Sequence, residues 1–273
     1  MNIIASLAIA FLSGLVFTFL ARSFARQFGI VNKPTGLVPQ HTKPIAYLGG
    51  LGIYLGLLVA CLIQHFLYTT PIPYWFLLLG FLYLTMGVMD DLMVMRPLTK
   101  FAFQVVLASL AVWAGVIFPF TGMMIVDYGL SAFWILVLVN AFNLTDVCDG
   151  LVGGLSVVVF LSISFFIGSA SIIPLLVAGS ILGFLVYNSP LASIFMGDAG
   201  SHLLGFWAAY FTLTSMTANG IILGFLPVAI LTGVFLFELT FLIIVRYRKG
   251  LKWWLGSPDH FSLRLQALSL IHI

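Results

Sequence analysis

Two carboxylates stand side by side in Gly87-Val88-Met89-Asp90-Asp91-Leu92, at the end of an apolar run. Adjacent carboxylates repel, and each raises the pKa of the other unless a cation intervenes. Hard oxygen ligands of this kind suit Mg²⁺, which is commonly held by one or two carboxylates plus substrate phosphates. The plainer reading is a solvated acidic helix end. A second polar group interrupts the apolar sequence at Asn140-Ala141-Phe142-Asn143-Leu144-Thr145-Asp146-Val147-Cys148-Asp149-Gly150-Leu151. If the segment is helical, Asn140 shares a face with Asn143, and Asp146 with Asp149. One helix cap explains one of these four side chains, not all of them.

A third group is Asn188-Ser189-Pro190 followed by Phe195-Met196-Gly197-Asp198-Ala199-Gly200-Ser201-His202. Backbone amides at such a small-residue turn can hold an anion, and Asp198 can reach a cation. Asp198 or Ser201 acting only as an N-cap is the alternative. The fourth group is Arg246-Tyr247-Arg248-Lys249-Gly250, then Ser257-Pro258-Asp259-His260-Phe261-Ser262-Leu263-Arg264. Its first basic cluster fits attraction to anionic lipid heads, but Asp259-His260 beside Arg264 is less readily assigned to that. Glu238 falls inside an apolar run, where it must pair or be protonated.

The elements that position these residues follow from composition. The 273 residues are 62% hydrophobic and 7% charged, with mean hydropathy +1.18. Soluble domains carry about 25% charged residues, so a soluble globular protein is excluded. Disorder and collagen-like repeats are excluded as well. Continuous leucine-rich runs argue against a β-barrel, whose strands alternate polar and apolar residues. Cys61 and Cys148 are too few for a disulfide scaffold. A membrane-crossing helix takes about 20 residues. The apolar runs cover about 3–20, 47–68, 74–89, 101–118, 130–142, 152–168, 171–187, 203–217 and 221–245, with a short last run at 265–273. The expectation is a single all-α membrane domain over residues 1–273, with nine or ten transmembrane helices.

Starting outside, the inner connections are about 21–46, 90–100, 143–151, 188–202 and 246–264. All 11 lysines and arginines fall there, which by the positive-inside rule makes that face cytoplasmic. Six of the eight acids share it; Asp127 lies outside and Glu238 within a span. Concentrating both signs of charge on one face of so apolar a chain implies a polar cleft open to the cytoplasm. No Walker A, Rossmann or zinc-protease pattern is present. Carboxylates, amides and bases in five converging loops favour a Mg²⁺-dependent reaction on a phosphate-bearing substrate.

Taken in order, Asp90-Asp91, the Asn143–Leu151 segment and Phe195-Met196-Gly197-Asp198-Ala199-Gly200-Ser201 resemble the polyprenyl-phosphate N-acetylhexosamine-1-phosphate transferases. That superfamily also includes phospho-N-acetylmuramoyl-pentapeptide transferase. The resemblance implies transfer of a sugar-1-phosphate, N-acetylglucosamine-1-phosphate in the first instance, from a UDP-sugar to an undecaprenyl- or dolichyl-type phosphate. UMP would leave, and lipid-linked glycan assembly would begin at the plasma or inner membrane. It implies Mg²⁺, replaceable by Mn²⁺, held by Asp91 and Asp198. Asp90 is implied as base or orienter for the lipid phosphate, and His260 as a further catalytic residue. Substrate-binding positions by resemblance are His41, Lys43, Lys100, Asn143, Asp146, Asp149, Asn188, Phe195 and Arg264, with Phe195 as the uracil-stacking ring. The partners implied are the UDP-N-acetylhexosamine, the polyprenyl phosphate, membrane lipid and a second copy in a homodimer, with no nucleic acid.

The sequence also departs from that family. A motif that commonly reads His-x-His-His-Arg-Leu is here His260-Phe261-Ser262-Leu263-Arg264-Leu265, and the usual Pro-Arg before the double glycine is Ala46-Tyr47. Both argue against the muramoyl-pentapeptide enzyme. They leave two alternatives, the same chemistry with another UDP-hexosamine or a non-catalytic family member. An ion transporter is the rival from another class, disfavoured because the acids cluster in inner loops instead of at midplane.

Overall fold

The computed structural model describes residues 2–32, 44–167, 171–219, 227, 230–252 and 259–268. The chain runs α1 (Ile3–Gln27), β1 (Val31–Asn32), β2 (Ile45–Ala46), α2 (Gly49–Tyr68), α3 (Tyr74–Met93), α4 (Pro97–Trp113) and α5 (Met124–Thr145). It continues through α6 (Leu151–Ile167), α7 (Ile173–Asn188), α8 (Gly197–Asn219), α9 (Gly233–Arg248) and α10 (Phe261–Ala267). It is a multi-pass membrane protein. The helices α1, α2, α3 and α5 are each long and apolar enough to cross a bilayer, and α4, α6 and α7 are shorter apolar helices.

One feature departs from an all-α expectation. Val31 pairs with Ala46 and Asn32 with Ile45, in a two-stranded antiparallel ladder. Ala46 also bridges Ile194. The Phe195 amide donates to the Ala46 carbonyl at 2.8 Å, and the Gly49 amide donates to the Phe195 carbonyl at 2.9 Å. Backbone hydrogen bonds thus tie the start of α2 to the segment that leads into α8.

Several helices run further than hydrophobicity alone indicates. α1 continues past Leu20 to Gln27, with Arg26 in its last turn, where a cation is favoured by the helix dipole. α5 begins at Met124 and takes Asp127 into its first turn. There Asp127 accepts from the Thr121 amide at 2.7 Å and the Gly122 amide at 3.1 Å, so it fastens a turn instead of lying loose outside. α8 begins at Gly197, placing Asp198, Ser201 and His202 on a helix. Asn140 and Asn143 lie on α5, but the helix stops at Thr145. The Asp146/Asp149 pair therefore occupies the turn beyond it and shares no helical face.

The bundle packs α1 on α2 and α7, α3 and α5 on α8, and α9 on α5. Small residues permit the closest crossing. A Cβ on Gly14 would stand 2.3 Å from the Ser180 carbonyl oxygen, so only glycine allows α1 to lie this near α7. Around α8, Trp207 stacks with Phe76 and Tyr83 with Phe206, at centroid separations of 5.3 and 4.7 Å. The outer surface stays apolar. On α4, Leu98, Phe101, Phe103, Val105 and Val106 are all exposed, next to the partly buried Lys100. The short helix Phe261–Ala267 takes in only the start of the last apolar run, and residues 269–273 lie outside the described residues.

Candidate active site

Helix α3 delivers Asp90 and Asp91 to one place from its last turn. Asp90 points one oxygen at the Met95 amide, 2.7 Å away, closing the turn into α4, and the other at Lys100 Nζ, also 2.7 Å away. Asp91 faces the other way. Its two oxygens accept the amides of Asp198 and Ala199 at 2.8 and 3.1 Å, which caps the N-terminus of α8, where an anion is favoured. Gly197, at φ +73, enters this contact in a left-handed conformation, and a Cβ there would come 2.6 Å from Asp91 Oδ2. That position needs glycine.

Lys100, near the start of α4, closes the cluster. Its ammonium contacts Asp90, Asp198 and, at 3.2 Å, the Asn143 side-chain oxygen. Asn143 donates to Asp198 at 2.8 Å and to the Ser201 hydroxyl at 3.0 Å. Four elements thus bring together Asp90, Asp91, Lys100, Asn143 and Asp198. Asp146 adjoins them. Burial, then the charges of Asp198, Asp91 and Asp149, push its carboxyl well above the ordinary carboxylate range.

Asp149 and Asn188 act one step away. Asp149 accepts the Ala192 amide at 3.0 Å. Asn188 accepts from the Gly150 amide at 3.0 Å and donates to the Ile194 carbonyl at 2.9 Å. The pair latches the turn after α5 to the strand-like segment before α8, and so positions Phe195. The Phe195 ring meets Tyr47 edge-on, at 5.9 Å between centroids.

His260 and Arg264 stand in a second cluster. His260 Nδ1 is 3.0 Å from Glu238 on α9. Asp259 is paired with Lys249 at 2.5 Å and with Arg264 at 3.2 Å. The Lys249 bond, then the two positive charges, hold the Asp259 carboxyl below the ordinary range. Arg264 also lies over the Phe241 ring, 5.2 Å from its centroid. His41 and Lys43 lie outside the described residues.

Two residues join the site that motif reading alone did not assign. Tyr47 sits among the acids. Burial, with Asp91, Asp198 and Asp146 adding to it, pushes its phenol up to about 12, so it is a neutral O–H donor at physiological pH. Its signal is its place one residue removed from the double glycine, Tyr47-Leu48-Gly49-Gly50. The other is His202, fully buried, whose Nδ1–H donates to the Asp198 carbonyl at 2.5 Å. Its four-residue spacing from Asp198 is the pattern that places them on one helical face.

Among the described residues, no group of three or more His, Cys, Asp or Glu side chains forms a ready metal cage. The site oxygens gather instead around the Lys100 ammonium. Chemically, the cluster offers carboxylate and amide oxygens to a cation, with one fixed ammonium and a phenol for an anionic group.

Residues 74–216, just over half of the chain, match glycosyl transferase family 4. The chain belongs to that family. It is 30% identical to a probable undecaprenyl-phosphate N-acetylglucosaminyl 1-phosphate transferase of Bacillus subtilis, over 99% of this chain and 79% of the relative. It is 31% identical to the decaprenyl-phosphate N-acetylglucosaminephosphotransferase of Mycobacterium tuberculosis, over 97% of this chain and 76% of the relative. It is 30% identical to the undecaprenyl-phosphate alpha-N-acetylglucosaminyl 1-phosphate transferase of Escherichia coli, over 91% and 72% respectively. The family membership and these relatives support a transferase of the polyprenyl-phosphate N-acetylhexosamine-1-phosphate class.

Proposed function

We propose that this protein transfers N-acetylglucosamine-1-phosphate from its UDP-sugar to a polyprenyl phosphate, releasing UMP and starting a lipid-linked glycan. The observation that carries the reading is the cation-centred cluster, in which Asp90, Asp198 and Asn143 surround one ammonium while Asp91 clamps the backbone of Asp198. Five polar side chains converge at the end of an apolar bundle, and isolated charges at such depth are unfavourable. The bundle is read as nine crossings whose cleft faces the cytoplasm of the plasma or inner membrane, because all 11 bases lie on that side.

The donor set fits Mg²⁺. Its ligands are all hard oxygens, and the cluster already accommodates a positive charge at Lys100. Asp91 and Asp198 would hold the ion, which supplies neutralisation of the UDP-sugar diphosphate and of the leaving UMP. Lys100 binds phosphate oxygens from its fixed position and orients them for in-line displacement. Asp90 holds the Lys100 ammonium and orients the attacking lipid phosphate. A phosphate monoester has a second pKa near about 6, so it attacks as the dianion without a strong base. Phe195, latched by Asn188 and edged by Tyr47, offers its ring to uracil. Asn143, Asp146 and Asp149 shape the nucleotide side. His41 and Lys43 precede Tyr47 in the sequence and add basic groups for phosphate.

The deciding experiment incubates the purified full chain in detergent with undecaprenyl phosphate, Mg²⁺ and a panel of UDP-sugars. The expected result is UMP and lipid-linked product with UDP-N-acetylglucosamine. Product with another UDP-hexosamine alone would move the donor assignment. No UMP with any donor, beside an active relative run in parallel, would overturn the reading in favour of a non-catalytic family member.

A further inference from the structure

A buried carboxylate that the cation-centred cluster does not use is Glu238, on α9. It is 4% exposed and its neighbour His260 is 8% exposed. One oxygen, Oε1, lies 3.0 Å from His260 Nδ1 and also accepts the Phe261 amide at 3.1 Å. The amide N–H can only donate, so Oε1 is an acceptor there, and the imidazole meets the same oxygen as a donor. In the neutral ring this places the proton on Nδ1 and the lone pair on Nε2.

The arrangement is packed on both sides. The Phe261 ring packs against Phe237 and Phe241 of α9, with centroids at 5.0 and 5.6 Å. Ser262 comes against Cys148 in the turn after α5. The α9 helix is itself seated on α5 by Phe142 and Phe235, stacked at 3.7 Å. Asn143, the residue after Phe142, reaches Asp198 and Lys100. One packed path therefore runs from Glu238 to the acid cluster.

We infer that Glu238 is a positioning residue for His260: it fixes the Nδ1–H tautomer and ring orientation, leaving Nε2 as the atom that takes up a proton and donates it to the phosphate-bearing substrate. This rests on the proposed function for the phosphate-bearing substrate that His260 meets, though not for how the ring is held. The substitution Glu238→Gln separates holding from charge. The Phe261 amide orients the glutamine oxygen inward, where it still accepts from His260. Glu238→Ala removes both contacts.

The test has two arms on the full chain in detergent. In the first, ring-¹⁵N histidine spectra are recorded at alkaline pH, with the His260 signal assigned by its loss in His260→Ala. The wild type and Glu238→Gln are expected to show protonated Nδ1 and bare Nε2, and Glu238→Ala a tautomer mixture. In the second, Glu238→Ala is expected to lower kcat/KM by about 10–100-fold, with Glu238→Gln restoring most of it. In a His260→Ala background, Glu238→Ala is expected to add no further loss. A wild-type ring protonated on Nε2 would overturn the inference. So would a Glu238→Ala loss undiminished in the His260→Ala background, which marks a helix anchor only. If the wild type yields no UMP from any donor, the proposed function falls, and the spectra alone still decide the Glu238–His260 assignment.

Discussion

Asp91 holds Asp198 by its backbone: the Asp91 carboxylate takes the Asp198 amide at 2.8 Å and the next amide, of Ala199, at 3.1 Å. The side chain of Asp198 is thereby free to face Lys100 and Asn143. Two carboxylates that look equivalent in a motif thus occupy different levels of the site. One aims the helix that carries the other.

Asp91→Asn tests this division. An asparagine offers one acceptor oxygen and turns an NH₂ toward a backbone N–H, leaving a buried amide unpaired at a cost of about 1–3 kcal/mol. The expected outcome is a lower melting temperature in detergent together with loss of Mg²⁺-dependent UMP release. Asp198→Asn should lose turnover with less effect on melting, because it leaves the helix cap intact. Equal melting shifts in the two variants would remove Asp91 from its anchoring role.

Lys100→Gln probes the cation position. The substitution takes a positive charge from between Asp90 and Asp198. Their mutual repulsion then favours any other cation. Turnover should fall by about 100-fold or more, while the Mg²⁺ concentration for half-maximal residual activity should drop. A metal requirement that rises would show that Lys100 and the ion do not compete.

Asn188→Ala should act at a distance. It deletes an acceptor for the Gly150 amide and a donor to the Ile194 carbonyl, at a cost of about 1–3 kcal/mol. Loosening that latch releases Phe195, so the KM for the UDP-sugar should rise more than kcat falls. Phe195→Ala should weaken UMP binding in calorimetry without altering the melting temperature to the same degree. Unchanged UMP affinity in Phe195→Ala would reject stacking.

The Asp259 pairings give an acid dependence. Its carboxyl is held below the ordinary range by Lys249 and Arg264. A depressed folded-state value means that the ionised form is favoured on folding. The contribution is present above the ordinary value of about 3.9 and disappears as pH falls through the folded one. Asp259→Asn should therefore lower thermal stability at neutral pH and have progressively less effect below about pH 4. A difference between wild type and variant that stays constant down to acid pH would refute the pairing.

Much of this was legible in the chain. Apolar run length gives helices, and the charge asymmetry of Arg22 through Arg264 gives the polar end. Asp90-Asp91 stand out as adjacent carboxylates ending an apolar run, and Asp198 as a carboxylate in a small-residue turn. What periodicity does not reveal is direction. Asp90 and Asp91 are neighbours, yet about 100° of helical rotation separates them, sending one to Lys100 and the other to α8. Nor does it reveal that Asp149 and Asn188 satisfy backbone groups, since those partners come from distant loops. The helix ends shifted where polar residues such as Asp127 and Arg26 found a favourable helix terminus. The β1–β2 ladder has only two residues per strand, too short for any alternation to register.

The exposed apolar flank of α4 carries a kinetic consequence. Leu98, Phe101 and Phe103 face outward beside the partly buried Lys100 ammonium. An amphiphile whose tail lies along that flank can present its head to Lys100 without leaving the bilayer. Its search is then two-dimensional, and the rate is governed by its mole fraction among the surrounding lipids or detergent. Diluting the mixed micelle with detergent at constant bulk concentration of acceptor should slow the reaction in step with the fall in the acceptor's mole fraction.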